Sequence, residues 1–264
     1  ISPQYVRVAL NDMKQKYGFN HAHKANSHNL APVTIQLPVK SNGCYDLEQQ
    51  EIMVEIFNYL EDMRKSLLHQ KDRVVESNVC VDLSCYHFAQ KKVSDLFSVL
   101  RGSGKYTRSY TQEHPGAVPL FSGNTSGAFA YVDTADYNTP CLSWVIDGLA
   151  GYLMFHSSEF SATNHRGVLL PKFSDINLQY AKFIMEPIFR NAKKGRVGDN
   201  GENEYSSLPP FMVSELLVPF PVDDTGKISL SAQQEIAEQY ITVEQCKRDV
   251  AEKLDALAHQ KIEL

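Results

Sequence analysis

The sequence lacks any apolar run approaching the ~20 residues that a helix needs to cross a bilayer, so no helical membrane span is expected. No secretory signal pattern opens it. Five cysteines (Cys44, Cys80, Cys85, Cys141, Cys246) are odd in number and scattered. Cys80 and Cys85 lie too far apart for the usual zinc-binding CxxC, so reduced thiols in a cytoplasmic setting are expected. There is no strong charge excess either. The net charge of −5 does not favour a nucleic-acid partner by itself.

Catalytic motifs are also missing. RGSGKYT (Arg101–Thr107) has Val99 and Tyr106 where a phosphate-binding loop needs Gly and Ser or Thr. LPPF (Leu208–Phe211) is similar to the Pro-Pro loop of DNA amino-methyltransferases, but Leu208 cannot accept a base amino group. HAHKANSH (His21–His28) has no carboxylate or cysteine to complete a metal site, and reads better as a solvated loop. No Gly-x-Ser-x-Gly elbow and no nuclease carboxylate cluster occurs. The sequence therefore argues for recognition without catalysis, and for no cofactor of its own.

What is present is ordinary globular composition, 43% hydrophobic and 22% charged, and an internal repeat. QQEI occurs at Gln49–Ile52 and again at Gln233–Ile236, 184 positions on. Before the copies run VTIQLPVKSNGCYDL (Val33–Leu47) and LLVPFPVDDTGKISL (Leu216–Leu230), in which Pro38, Gly43 and Leu47 match Pro221, Gly226 and Leu230. Further upstream, Ile1, Gln4 and Tyr5 match Ile176, Gln179 and Tyr180. Similarity that keeps its order over this length is a repeat of the form helix, loop, strand, turn, long helix. The first copy has nothing before it and the chain starts with Ile, so a fragment or processed chain is expected.

Asp46, with Gln49 three residues on, predicts a helix to about Lys71. Ser231, with Gln234, predicts another towards Leu264. Ile52, Ile56, Tyr59 and Met63 would face Ile236, Val243, Val250 and Leu254, at coiled-coil spacings. Asp72–Phe88 reads as a connector with β-like character. Between the helices, short strands are predicted at Ala117–Ser122, Ala128–Val132, Cys141–Ile146, Gly151–Phe155 and Gly167–Pro171, separated by turn residues. A helix from Asp175 to about Met185 should end or kink near Pro187, followed by a basic loop, Asn191–Ser207. The fold class is mixed α/β, a globule of short strands with two long helices. Lys91–Arg196 carries a net charge of +4 and Asp223–Leu264 one of −4, which suggests two jobs in two segments.

Val93–Phe97, the basic Gly-Lys turn, Val118–Asp133, Leu142–Phe155 and Asn164–Lys172, in that order, resemble a target recognition domain. Leu216–Tyr240 resembles the strand, turn and helix start that close such a domain. The family is the DNA specificity subunit of type I restriction-modification systems. The resemblance implies that the two long helices pair as an antiparallel coiled coil. It implies four segments: 1–44 as the C-terminal part of a first recognition domain, 45–88 as central spacer helix and connector, 89–222 as a second recognition domain, and 223–264 as the distal helix. It implies double-stranded DNA as ligand and modification (methyltransferase) subunits as partners, with the restriction subunit joined through them and no membrane. S-adenosylmethionine, ATP and Mg²⁺ would belong to the partners. Basic residues on loops suit phosphates: Arg101, Lys105, Arg108, Lys193, Lys194 and Arg196. Ser122, Asn124, Ser126, Asn164 and His165 lie in polar turns and could meet base edges; each is equally well read as a plain solvated turn residue. Two other readings stay open: the C-terminal recognition region of a single-chain type II restriction-methylation enzyme, and a coiled-coil scaffold that binds protein only.

Overall fold

The computed structural model describes residues 1–11, 13–77, 81–197 and 203–260; within these, the side chains of Gln15, Arg196, Val197 and Asn203–Tyr205 are left aside. The chain folds as two compact units, Ile1–Asn78 with Glu244–Leu264, and Val79–Val243. In order, the elements are α1 (Pro3–Ala9), α2 (Met13–Lys16), α3 (Ser27–Leu30), α4 (Leu47–Glu76), β1 (His87–Lys92), α5 (Val93–Leu96), β2 (Phe97–Arg101), α6 (Arg108–Glu113) and β3 (Pro115–Phe121). There follow β4 (Ala130–Val132), β5 (Cys141–Val145), β6 (Asp147–Gly148), β7 (Leu153–His156), β8 (Ser161–Ala162), β9 (Arg166–Pro171) and α7 (Leu178–Ala192). The chain continues through β10 (Lys194–Val197), β11 (Asn203–Ser207), α8 (Pro210–Ser214), β12 (Leu217–Val222) and α9 (Leu230–Ala258).

In the first unit, α4 and the last turns of α9 pair antiparallel, as the mixed α/β fold with two long helices requires. Arg64 Nε donates to Ala258 O at 2.6 Å, Lys71 Nζ meets Asp255 Oδ1 at 2.5 Å, and Lys247 Nζ donates to Ser77 O at 2.6 Å. As one number rises the other falls. The buried side of the pair is not the one expected, however. Ile52, Ile56, Tyr59 and Met63 are exposed. The half-buried stripe on α4 is Met53, Phe57, Leu60, Arg64, Leu67, Lys71 and Val74. Those gaps of four and three form a heptad seam. On α9 the stripe is Glu244, Lys247, Ala251, Leu254 and Ala258, while Val243 and Val250 are exposed. Charged residues thus sit inside the seam.

The second unit is built on an antiparallel sheet in the order β2-β9-β5-β7. Every residue of β5 is buried, so both faces of the sheet are covered. Side chains alternate along a strand. Leu142 and Trp144 join Phe97, Leu169, Tyr180, Met185 and Phe189 in the main core, while Cys141 packs with Phe160, Ala162 and Val168. Gly167 leaves room for the Trp144 ring; a Cβ there would lie 2.1 Å from it. The expected strands form, though some start later, and α7 runs through Pro187 to Ala192. Its buried Phe189 anchors the last turns in the core, which outweighs the one backbone bond that proline forfeits. The basic loop is a hairpin, β10–β11, continued onto β6. The segment Val33–Val39 forms only a bridge, Val39 to Tyr45. Its repeat partner β12 is a strand because β1 pairs along its whole length.

The repeat reaches down to single hydrogen bonds. Ser2 caps α1 and Asn177 caps α7, each accepting the N–H of a tyrosine, Tyr5 or Tyr180. Tyr5 OH donates to Gln36 O at 2.9 Å; Tyr180 OH donates to Pro219 O at 2.7 Å. Gly43 and Gly226 turn with φ of 80° and 81°, where only glycine sits without strain. The two long helices are capped by Asp46, which accepts Gln49 N, and by Ser229, which accepts Ala232 N at 3.3 Å. The second cap is thus Ser229, not Ser231.

Candidate nucleic-acid interface

β2 ends, β9 begins and β5 ends at one edge of the main sheet, because β9 runs antiparallel to both neighbours. That edge gathers side chains from distant sequence. Arg101, the last residue of β2, donates from Nε to Asn164 O at 2.8 Å, and its Nη2 lies 3.8 Å from Asp147 Oδ2. His165 Nδ1 lies 3.2 Å from the same oxygen; facing a carboxylate, that nitrogen carries the proton. Asp147 Oδ1 accepts Ser207 Oγ at 2.9 Å. Ser207 pairs across to Lys194, so the basic hairpin springs from this edge.

The Ser122–Gly127 turn sits beside it. Thr163 Oγ1 donates to Ser122 Oγ at 3.0 Å. Asn124 is committed inside the turn: Oδ1 accepts Ser122 N at 2.9 Å, while Nδ2 donates to Ser126 O and Gly127 O. Ser126, Asn164 and His165 are exposed. Beneath lies Arg166, fully buried, whose guanidinium donates to Ser122 O, Asn124 O and Ser143 Oγ. Ser143 Oγ is 2.7 Å from His156 Nε2. Ser143 Oγ thus bridges the Arg166 guanidinium and the His156 imidazole. Burial first, and the Arg166 charge second, push the His156 pKa down to about 3. This hydroxyl–imidazole pair is buried beneath the exposed turns.

The structure therefore brings together Arg101, Ser122, Asn124, Ser126, Asn164 and His165, with Lys194 opening the adjoining hairpin and Lys193 just before it as the C-cap of α7. Lys105 is drawn aside: its Nζ meets Asp136 Oδ1 at 3.0 Å, and that bond holds its pKa well above the usual lysine value. Arg108 is exposed in the first turn of α6. The side chain of Arg196 lies outside the described residues. Sequence reasoning missed Asp147 and Arg166. Nothing in local spacing links Asp147 to a histidine 18 positions away. Arg166 carries no motif that would mark it as buried, and its partners Ser122, Asn124 and Ser143 come from other segments. Leu208 is a strut: it is buried, and its carbonyl accepts Trp144 Nε1 at 2.9 Å. Among the described residues, no group of three or more His, Cys, Asp or Glu could hold a metal, and no helix is long and apolar enough to cross a membrane.

The fold, with its repeat and paired helices, is similar to that of a solved type I restriction-modification specificity subunit, and the resemblance read from the sequence stands. The chain is 29% identical over 96 residues to a type I specificity subunit of Mycoplasma pneumoniae, covering 36% of this chain and 26% of that protein. It is 24% identical over 174 residues to the specificity subunit of the MpnII type I restriction enzyme of the same organism, covering 64% and 48%. A third subunit from that organism matches at 24% over 174 residues, covering 64% and 63%. The matches thus span less than two thirds of each of these relatives. Among solved structures, the type I specificity subunit of M. genitalium shares the fold with a TM-score of 0.53 at 14% identity, over 97% of this chain and 70% of that one. A chain from a structural study of assembly and conformational transition in a type I system gives 0.60 at 10% identity, over 97% and 68%. No protein-family model matches the chain.

Proposed function

We propose that the chain is a sequence-reading subunit for double-stranded DNA. On this reading it has no catalytic role and directs modification (methyltransferase) subunits, and through them a restriction subunit, to a bipartite site. The observation that carries the reading is the sheet edge. Arg101 bonds to the Asn164–His165 turn, and Lys194 pairs with Ser207, which holds Asp147 of the same edge, while Lys193 precedes Lys194 at the end of α7. That is the arrangement DNA recognition needs: cations on phosphates to position the protein, and neutral polar groups towards base edges. The relatives' names as specificity subunits support it. Residues 89–222 would form the recognition domain with this edge, 1–44 the closing part of another, and 45–88 and 223–264 the spacer helices. Such a complex would work in the cytoplasm, where the DNA is.

The test is a salt titration of binding to random-sequence duplex DNA. Lys193→Ala with Lys194→Ala should lower the slope of log K against log salt by about one to two, at about 0.9 per lost phosphate contact. Equal slopes for variant and wild type would sink the phosphate role. Absence of salt-dependent binding by the wild type would favour a protein-only scaffold.

A further inference from the structure

We propose that Arg166 is a positioning residue that locks the Ser122–Gly127 turn and the Thr163–His165 turn into one rigid head, and so sets which base edges this surface can read. The inference rests on the DNA-reading function above and names the residue that controls its specificity.

The guanidinium is wholly buried, and among the described residues no carboxylate pairs with it. Burying a cation is costly; an apolar side chain of similar size would fill the space at least as well. What an apolar residue could not do is hold two backbone carbonyls in a fixed plane. Arg166 Nε donates to Ser122 O at 3.0 Å and Nη2 to Asn124 O at 2.7 Å. The rigid fork fixes the separation of those two oxygens, a task a lysine ammonium performs poorly. The main chain of the same residue closes the second turn, with Arg166 N donating to Thr163 O at 3.0 Å. Thr163 then ties back, from its N–H to Phe121 O and from its hydroxyl to Ser122 Oγ.

One residue therefore clamps one turn with its side chain and shapes the other with its backbone. With Asn124 also folded into its turn, the side chains presented outward are Thr125, Ser126, Asn164 and His165. Base discrimination needs such donors and acceptors held to within hydrogen-bond tolerance. The neutral His156 supports the clamp through Ser143 without adding a second buried cation.

The experiment compares wild type, Arg166→Met and Arg166→Lys. Amide hydrogen exchange is followed in both turns and in β5, and each protein selects from a pool of randomised duplex DNA. We expect β5 protection to persist while exchange in Ser122–Gly127 rises at least tenfold. Preference for the wild-type-selected site over a scrambled one should fall at least tenfold, with the salt slope on scrambled DNA unchanged. Wild-type preference retained by both variants, with a motif clearly selected by the wild type, overturns the role of Arg166 alone. Failure of both variants to fold makes Arg166 a core strut and overturns it too. If the wild type selects no motif, the DNA reading fails and the specificity role fails with it, while the exchange data still report whether the clamp exists.

Discussion

Gln233 accepts the backbone N–H of Asn177 on its side-chain oxygen at 2.9 Å, and Gln50 does the same for Ser2 at 2.9 Å. Both glutamines are completely buried. Each long helix thus carries an amide that grips the N-cap residue of the helix opening its own copy of the repeat. The equivalence is between residues 183 positions apart, the same offset as Gly43 and Gly226. The literal QQEI copies are 184 apart and so lie one residue out of structural register. In this register Met53, not Ile52, corresponds to Ile236.

Replacing these glutamines separates the two alignments. Gln233 also donates from Nε2 to Asp175 O and Ser229 O, whereas Gln50 Nε2 has no partner among the described residues. Gln233→Ala should therefore cost about 2–3 kcal/mol in denaturant unfolding, and Gln50→Ala about 1–2 kcal/mol, since each strands buried polar groups. The literal matches, Gln49→Ala and Gln234→Ala, remove exposed side chains and should stay within about 0.5 kcal/mol. Equal losses at Gln49 and Gln50 would disprove the 183-residue register.

The seam makes a second contrast. Leu67→Asp places a charge on the half-buried stripe and should destabilise the first unit by about 2 kcal/mol or more. Ile56→Asp changes an exposed side chain and should fall within about 0.5 kcal/mol. Thermal melts of both variants, followed by helical circular dichroism, decide it; the reverse order would restore the stripe expected from sequence.

Stability of the second unit should depend on pH through His156. Its folded pKa lies at about 3, below the ordinary histidine value of 6.5, so the unfolded chain binds the proton more readily. The stabilisation is complete above about pH 6.5 and is lost as pH falls, by up to roughly 1.4 kcal/mol per unit. Between pH 6.5 and 5 most carboxylates remain ionised, and there His156→Gln should flatten the curve of stability against pH. A wild-type curve already flat in that range would refute the sealed, neutral imidazole.

Thiol labelling gives a fourth check. Cys44, Cys85 and Cys246 are exposed, while burial pushes the Cys141 thiol up to about 12. The thiolate is the reactive form. Cys141 should resist iodoacetamide at pH 8 in the folded protein and react only on unfolding, as read by peptide mass mapping; labelling at the rate of Cys85 would contradict its burial.

How far the sequence carried the argument depends on range. β5 and β9 were legible because apolar residues run between turn residues, and α4 because Asp46 and Gln49 mark its start. The hairpin β10–β11 was not: Lys194–Val197 and Asn203–Ser207 are polar, and become strands only by pairing with each other and β6. Proline misled at α7, where packing of Phe189 overrides a local rule. At the candidate site, exposed polar turn residues such as Asn164 and His165 could be named from their neighbours. Asp147 and Arg166 could not, since their partners come from other strands and only the sheet register brings them together.

The first unit is assembled from two separated stretches of sequence, with Val79–Val243 interposed as a unit of its own. On a ribosome this fixes an order of events. The second unit has all its residues before Glu244 is made, and domains fold as they emerge. α4 meanwhile waits with its seam bare, including Phe57 and Leu67, until the last turns of α9 arrive. The Lys71–Asp255 and Arg64–Ala258 contacts therefore cannot form until the whole second unit has been made. A ribosome that stalls before Glu244 leaves the residues of the second unit joined to an unpaired amphipathic helix. Quality control would meet that exposed seam as the mark of a helix still without its partner.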